Sequence, residues 1–194
     1  MPRMKEFDRD QALHRAAEVF WDRGYEAAST DELLTAMGIG RQSMYNAFGD
    51  KRRLYLEALQ HYQAEYGAEM FERLRAAASP LAALSGILLA VARQSADERR
   101  RGCMAVNAAT EFGQGDQEVG VIVNAGVNLC HAAYERLLAE AKRTGEVRQD
   151  LDERAAARFL HSTLVGLRVS ARSGATPEML HDIATVAVDG LRAR

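Results

Sequence analysis

Two short amphipathic segments joined by a glycine turn place the strongest constraint on what this chain can fold into. The first segment opens at Ser29, with Glu32 three residues later as in a capping box, and it stops at Gly38. The second covers about residues 41–48 and stops at a further glycine. An apolar helical pattern over residues 13–20 precedes both and can pack over them. This order predicts a helix-turn-helix unit of three helices.

The rest of the chain also favours helices. Proline occurs only at positions 2, 80 and 177, while residues with high helix propensity are abundant. Apolar spacing and cap residues predict a long helix from Asp50, then helices from Ser79, over about 101–112, over about 117–143, from Asp150 or Asp152, and from Thr176. We therefore predict an all-α fold of about nine helices, with one domain over residues 1–53 and a second over residues 54–194.

Bulk charge does not identify a nucleic-acid partner. The 194-residue chain has a net charge of −2, and residues 1–53 hold nine basic and nine acidic side chains. A protein that binds nucleic acid would therefore have to do so through a local basic patch.

Several other classes of protein find no support. The N-terminus is too charged for a secretory signal, and the apolar run at residues 81–92 is too short to span a bilayer. Two cysteines make no disulfide framework, so we expect a cytoplasmic chain with no membrane partner. Metal-binding spacings such as CxxC or HExxH do not occur, so we predict no metal and no cofactor. Without an evident nucleophile–base pair, we predict that the chain is not an enzyme.

The stretch from residue 38 to residue 55 can be an anion-binding loop, a polar surface turn or the DNA-facing part of the helix-turn-helix. Met44 and Phe48 fit the inward side of its helix, which leaves long polar side chains outside. Such a face suits contacts to base edges and phosphates. The cations at residues 51–53 are unfavourable at a helix N-terminus, which favours an external anion, although a solvated helix start explains them too. Tyr45 can likewise serve only in packing.

Residues 16–59 resemble the DNA-binding domain of the TetR family of bacterial repressors. The shared pattern comprises Phe20, Gly24, Tyr25, Ser29, Thr30, Ala36, Gly38, Ile39, Tyr45, Phe48 and Lys51. The resemblance implies a homodimer on a palindromic double-stranded DNA operator, released by a small-molecule effector that binds the C-terminal domain. The DNA contacts that it implies are Thr30, Arg41, Gln42, Ser43, Tyr45, Asn46 and Lys51. Ala47 departs from the family pattern and leaves the operator sequence open.

The segment after Gly102 is the predicted ligand pocket. Cys103, Asn107 and Glu111 recur every four residues beside an apolar stripe that includes Met104 and Phe112, and such a face can line a cavity. Alternatively, Asn107 caps a neighbouring backbone, Glu111 faces water and Cys103 is a small buried hydrophobe. The segment also resembles a TetR subgroup that responds to electrophiles and quinones, which implies that Cys103 is the sensing thiol. The motif is shared with members that only bind ligands.

The last two predicted helices carry apolar seams. In the TetR family such a pair forms a four-helix interface with the partner, which implies dimer contacts from Leu160, Leu164, Leu167, Ile183, Val186 and Leu191. These residues can equally belong to an ordinary core, and both roles can hold. The alternatives to a ligand-responsive repressor are a helical adaptor that does not bind DNA and a small helical enzyme. Activation is not distinguished from repression.

Overall fold

The computed structural model of the protein describes residues 7–193, so residues 1–6, which begin the predicted 1–53 domain, and Arg194 lie outside it. Ten helices follow one another: α1 Arg9–Ala27, α2 Thr30–Met37, α3 Arg41–Phe48, α4 Lys51–Ala76, α5 Pro80–Arg93, α6 Ala96–Arg101, α7 Met104–Phe112, α8 Gln117–Arg143, α9 Glu153–Arg172 and α10 Pro177–Asp189. Between residues 7 and 193, extended pairing is limited to an isolated bridge of Val147 with Arg192. The predicted all-α class is confirmed.

Local side-chain caps set most of the helix starts. The Ser29 hydroxyl accepts a hydrogen bond from the Glu32 N–H, and the Glu32 carboxylate accepts one from the Ser29 N–H, which confirms the predicted capping box. Asp152 accepts from the Ala155 N–H at the start of α9. Thr176 caps α10, where the following proline occupies the first helical position. Each cap satisfies backbone N–H groups that a helix start leaves without an internal partner.

Gly24 and Gly38 occupy conformations that other residues rarely adopt. Gly38 ends α2 in the left-handed region at φ 68°, as predicted from its position. Gly24 has φ 80° and interrupts α1, so that the last turn of α1 points in a new direction. A Cβ atom at Gly24 would lie 2.9 Å from the Glu111 carboxylate, so this position also requires close approach.

The helices divide into two compact units. Unit 1 comprises the described residues up to Glu65 together with Cys103–Val123, and unit 2 comprises Tyr66–Gly102 and the described residues from Asn124 onward. The two packing units thus meet along the chain after Glu65, after Gly102 and after Val123, whereas the predicted functional boundary lies between residues 53 and 54. Unit 1 is discontinuous because α7 packs on α1, and Val119 and Ile122 at the start of α8 join the same buried cluster. The division into a DNA-binding and a ligand-binding domain remains a functional prediction.

The core of unit 1 is built on aromatic and aliphatic side chains from its three N-terminal helices, the start of α4 and α7. Phe20 and Tyr55 are almost fully buried, with ring centroids 5.0 Å apart and a near-perpendicular arrangement. Met44 and Phe48 of α3 are buried in the same cluster, as predicted. Replacing Phe20 by alanine would remove about 3–5 kcal/mol of stability through lost burial and the cavity left behind.

Unit 2 has a separate core formed by the remainder of α4 with α5, α8, α9 and α10. The helix predicted over about residues 101–112 corresponds to α7, which begins at Met104. The short helix α6 was not predicted; it ends at Arg101, and Gly102 follows at φ 70°. The positive φ of Gly102 breaks the helical hydrogen-bond pattern at that point. Within the described residues, no helix combines the length and the apolar character needed to cross a bilayer.

Candidate nucleic-acid interface

The outward side of α3 is polar and exposed. Arg41, Gln42, Tyr45 and Asn46 are exposed, with Tyr45 46% accessible, while Ser43 is half-buried. This distribution follows from the inward pair Met44 and Phe48, which lie one turn apart and fix the rotation of the helix. The arrangement leaves hydrogen-bonding groups of three chemical kinds on one side of an eight-residue helix.

Three of these polar side chains have hydrogen-bond partners within the described residues. The Arg41 guanidinium lies 2.7 Å from the Asp31 carboxylate of α2, and both groups are largely exposed. Gln42 donates to the Asn46 side-chain oxygen at 3.0 Å, one turn along α3. Exposed pairs of this kind contribute at most about 1 kcal/mol, so they can be exchanged for other partners. Asp31 was absent from the residues predicted for this interface.

The helix starts at this surface differ in how their N–H groups are satisfied. Gly40 precedes α3 and offers no side-chain cap, so the first N–H groups of that helix stay available to an anion. At α2 the capping box uses the Glu32 N–H, and hydrogen bonds from the Ser29 backbone and hydroxyl lower the pKa of Glu32 below its usual value. Thr30, the first residue of α2, is half-buried beside this cap.

The three cations at the start of α4 have different surroundings. The Lys51 ammonium lies 4.5 Å from the centre of the Tyr25 ring and 3.5 Å from the Glu26 carbonyl oxygen, so its side chain is held against the end of α1. Arg52 forms ion pairs with Asp116 at 2.6 Å and Glu118 at 3.2 Å.

The Arg52 pairs are structural. The hydrogen bond to Asp116 is the main reason that the pKa of Arg52 is raised, and the same bond lowers the pKa of Asp116. Arg52 therefore joins α4 to the start of α8 and is not an open phosphate-binding cation. Arg53 is engaged differently, since its backbone N–H donates to the Asp50 carboxylate that caps α4.

The predicted ligand segment has contacts that its spacing did not indicate. The Glu111 carboxylate accepts hydrogen bonds from the N–H groups of Tyr25 at 3.1 Å and Glu26 at 2.9 Å. These are the N–H groups that the break at Gly24 releases, so Glu111 caps the last turn of α1. Glu111 is exposed, in agreement with the alternative that it faces water, but neither interpretation drawn from the sequence included this capping role.

The remaining residues of that segment pack against the same region. Cys103 is 3% accessible at the start of α7, and Met104 is buried in the core of unit 1. The Phe112 ring lies 5.6 Å from Tyr25 and 5.5 Å from Tyr55, measured between centroids. Asn107 is half-buried. The segment therefore forms part of the packed structure of unit 1, and Cys103 is reached by solvent only to a small extent.

The residues predicted for a dimer interface fall into two groups. Leu160, Leu164, Leu167 and Leu191 are buried in the core of their own unit, so in this conformation they cannot supply an exposed surface to a partner. Ile183 and Val186 are exposed, as are three further apolar residues of the same two helices, namely Phe159, Val169 and Met179. An open groove of about 740 Å³ runs between α9 and α10 and includes Phe159, Ile183 and Val186.

Two further features of the described residues were not predicted from the sequence. One is the pairing of Arg41 with Asp31 across the turn, for which the local charge pattern gave a weak signal. The other is a group of potential metal ligands, His14, His61 and Glu65, whose ligand atoms lie within 4.8 Å of one another. His61 and Glu65 are four residues apart and share a helix face, but nothing in the sequence links them to His14.

Comparison with known proteins agrees with this fold and site. Residues 12–58 match the family described as bacterial regulatory proteins, tetR family, and residues 72–187 match the tetracyclin repressor-like C-terminal domain. YezE, an uncharacterised HTH-type transcriptional regulator of Bacillus subtilis (strain 168), is 35% identical over 193 residues, covering 98% of this chain and 100% of YezE. The HTH-type transcriptional repressor ComR of Escherichia coli (strain K12) is 29% identical over 187 residues, covering 94% and 88% of the two chains.

A solved structure of similar shape contains DNA. A cysteine mutant of the TetR family transcriptional regulator CifR, complexed with 26-bp double-strand operator DNA, superimposes with a TM-score of 0.85 at 31% identity, covering 97% of this chain and 99% of CifR. The chain belongs to the TetR family of helix-turn-helix transcriptional regulators. It is accordingly a DNA-binding regulator, as predicted, and not an enzyme.

Proposed function

We propose that the protein is a homodimeric repressor that binds a palindromic operator through α3 and is released by a small-molecule effector. The outward polar side of α3 carries this proposal, because it presents Arg41, Gln42, Tyr45 and Asn46 together on a helix held rigidly by two buried residues. A helix of this kind fits the major groove, where arginine pairs with guanine and amide side chains pair with adenine. The operator complex of the relative CifR supports the same assignment.

The direct test measures operator affinity of the full-length chain by fluorescence anisotropy, with DNA selected by the wild-type protein from a random pool. Arg41→Ala should weaken binding to the selected DNA by about 1–3 kcal/mol and relax sequence preference at one position, since a bidentate base contact is lost. Arg136→Ala, which removes the same charge from an exposed position on α8, is the matched control and should leave affinity unchanged. Equal affinity of the Arg41 variant and the wild type would contradict the proposal.

Lys51 and Thr30 have a different role in this proposal, namely contact with phosphates. Lys51→Ala should weaken binding to selected and unselected DNA alike and reduce the slope of log affinity against log salt by about one. The Tyr25 ring and the Glu26 carbonyl hold the ammonium at the surface in a fixed position. Thr30 stands at the first position of α2, where a side-chain hydroxyl can add to the helix dipole in binding an anion.

Dimerisation in this proposal uses the exposed apolar part of α9 and α10 and not the leucines of the unit 2 core. Val186 is 73% accessible and borders the groove that also contains Phe159 and Ile183. A contiguous apolar surface of this kind marks an association site, and a self-complementary patch produces a two-fold dimer. Two-fold symmetry is also what a palindromic operator requires.

The effector response in this proposal acts through α7. Cys103 stands at the start of α7, and the other end of the helix carries Glu111 and Phe112, which contact the last turn of α1. Tyr25 in that turn supports Lys51. A change at Cys103 that shifts α7 would therefore disturb a predicted phosphate contact, through contacts that all lie inside unit 1.

Cys103 is the proposed sensor for an electrophilic effector. Its sulfur would form a C–S bond with the electrophilic carbon of an enone or quinone, while the electron pair of the C=C bond takes up a proton. Burial of Cys103 limits access of the electrophile to the sulfur and slows the reaction. The structures of the relative CifR with operator DNA are those of cysteine mutants.

Treatment with N-ethylmaleimide followed by mass spectrometry and an operator-binding assay tests this sensor. Modification of Cys103 should release DNA, Cys103→Ser should bind DNA and resist release, and Cys130→Ser should respond like the wild type. Release of DNA from the Cys103→Ser variant by the same reagent would exclude the thiol as the sensor.

A further inference from the structure

Three side chains from two helices of unit 1 meet at its surface in an arrangement that the DNA-binding function does not use. His14 is on α1, and His61 and Glu65 lie one turn apart on α4. The Glu65 Oε1 atom is 3.2 Å from His61 Nε2 and 3.7 Å from His14 Nδ1. The two imidazole rings face each other edge to face, with centroids 6.0 Å apart.

These distances fit a shared metal ion. Zinc bonds of about 2.0–2.1 Å in a tetrahedral arrangement place ligand atoms roughly 3.3 Å from one another. The two distances to Glu65 Oε1 lie on either side of that value, and all three ligand atoms fall within 4.8 Å of each other.

The hydrogen-bonding state of His61 also points to a ligand. Its Nε2 atom is buried and makes no hydrogen bond of acceptable geometry within the described residues, despite the nearby carboxylate. A buried ring nitrogen without a partner is unfavourable, and a metal bond would satisfy it. His14 and Glu65 are each about half exposed, so an ion can enter from solvent.

We propose that His14, His61 and Glu65 form a binding site for a divalent transition-metal ion of the zinc type. Two imidazoles and one carboxylate are a donor set that such ions take, with water in the fourth position. Binding would join α1 to α4 inside the DNA-binding unit and would stabilise that unit by mass action. The proposal stands independently of the effector and dimer assignments, because it concerns three residues that take no part in them.

The test uses the full-length, tag-free chain after removal of metal by a chelator, with zinc as the probe. Competition against a chromophoric chelator gives the affinity, and elemental analysis after dialysis gives the stoichiometry. We expect one zinc ion per chain. His14→Gln and His61→Gln should each lower the affinity at least about tenfold, since loss of an outer-shell partner alone has an effect of that size.

Matched variants separate this site from other zinc ligands. His181→Gln removes an exposed histidine from α10, and Cys103→Ser removes a thiol from unit 1. Both should bind zinc like the wild type. The melting temperature of unit 1 should rise with zinc in the wild type and not in His14→Gln. Because His14 is exposed, its replacement should not disturb folding, so a lost zinc response reports on the metal site. Wild-type zinc affinity in both His14→Gln and His61→Gln, or loss of binding in Cys103→Ser, would overturn the proposal.

Discussion

The two units place polar and apolar side chains in opposite ways. Unit 1 exposes a polar surface on α3, where Arg41 pairs with Asp31 of α2 and Gln42 donates to Asn46. Unit 2 exposes apolar residues such as Val186 on α10, and it buries the Tyr134 hydroxyl, which has no hydrogen-bond partner among the described residues. Exposed polar groups that can exchange their partners are typical of a DNA-binding surface. Exposed apolar groups are typical of a protein interface, and a buried hydroxyl without a partner can hydrogen-bond a small molecule.

The largest expected effect is on dimer stability, and it follows from a substitution in the exposed apolar surface of unit 2. Val186→Asp should raise the dissociation constant of the dimer more than about a hundredfold, because each copy of the symmetric interface would bury an unpaired carboxylate. Sedimentation velocity over a range of protein concentrations measures the change. Operator affinity should fall with it, since two linked reading heads bind DNA more tightly than one.

Val121→Asp is the control for that substitution. Val121 is 65% accessible on α8 and belongs to unit 1, so the same change in charge should leave the dimer intact. Dimers of equal stability in the Val186 variant and the wild type would mean that another surface pairs the subunits. The exposed apolar residues of unit 2 would then not form the dimer interface.

An effect of intermediate size is expected on the pH dependence of stability, and it comes from His161, a half-buried residue of unit 2. Burial lowers the pKa of His161 to about 4, and the neighbouring His131 and Arg168 add to the shift. An unfolded histidine has a pKa near 6.5, so below that pH the unfolded state binds a proton that the folded state does not. The contribution of neutral His161 to the free energy of unfolding is therefore complete above about pH 6.5, and it is lost as the pH falls toward 4.

Urea denaturation at pH 7 and pH 5 measures this dependence. With an allowance for partial exposure to solvent, the His161 contribution to the loss of unfolding free energy should be about 1 kcal/mol. His161→Gln should lack that part of the loss, whereas His181→Gln, on the exposed side of α10, should behave like the wild type. An equal loss in His161→Gln and the wild type would show that other groups cause the pH dependence.

Local sequence signals predicted the helices because caps act over three or four residues. Ser29 with Glu32, and Thr176 with the proline after it, gave helix starts that the structure contains. Ser95 and Glu98 carry a further signal of this kind, because they form a capping box at the start of α6, a helix that was not predicted. The start of α6 is therefore also encoded in a local pattern of the sequence.

Contacts between distant residues were not accessible in this way. Glu111 caps a turn whose N–H groups lie 85 and 86 residues earlier, and Arg52 pairs with a carboxylate 64 residues later. Apolar periodicity found the seams of α9 and α10 but did not distinguish the buried Leu164 from the exposed Val186, since both fit a helical repeat. Such roles depend on which helices meet, and that is decided by the packing of the whole chain.

The smallest expected effect concerns Asp31, which pairs with Arg41 across the turn of the helix-turn-helix. If Arg41 contacts a base, this exposed pair must break, and the carboxylate is left near the phosphates. Asp31→Asn keeps an oxygen acceptor but removes the charge, so it should tighten operator binding by about two- to fivefold, in line with the 0.2–1 kcal/mol of exposed ion pairs. The gain should shrink as salt is added, because exposed charges are screened.

A double-mutant cycle with Arg41→Ala separates the ion pair from general repulsion. In the Arg41→Ala background, Asp31→Asn should retain only the weaker gain from reduced phosphate repulsion. An undiminished gain in that background would mean that Asp31 acts on DNA alone and not through Arg41. Weaker operator binding by Asp31→Asn in the wild-type background would instead mean that the ion pair orients Arg41 for its base contact. The polar surface of unit 1 would then be preorganised for DNA, and its groups would keep their partners on binding.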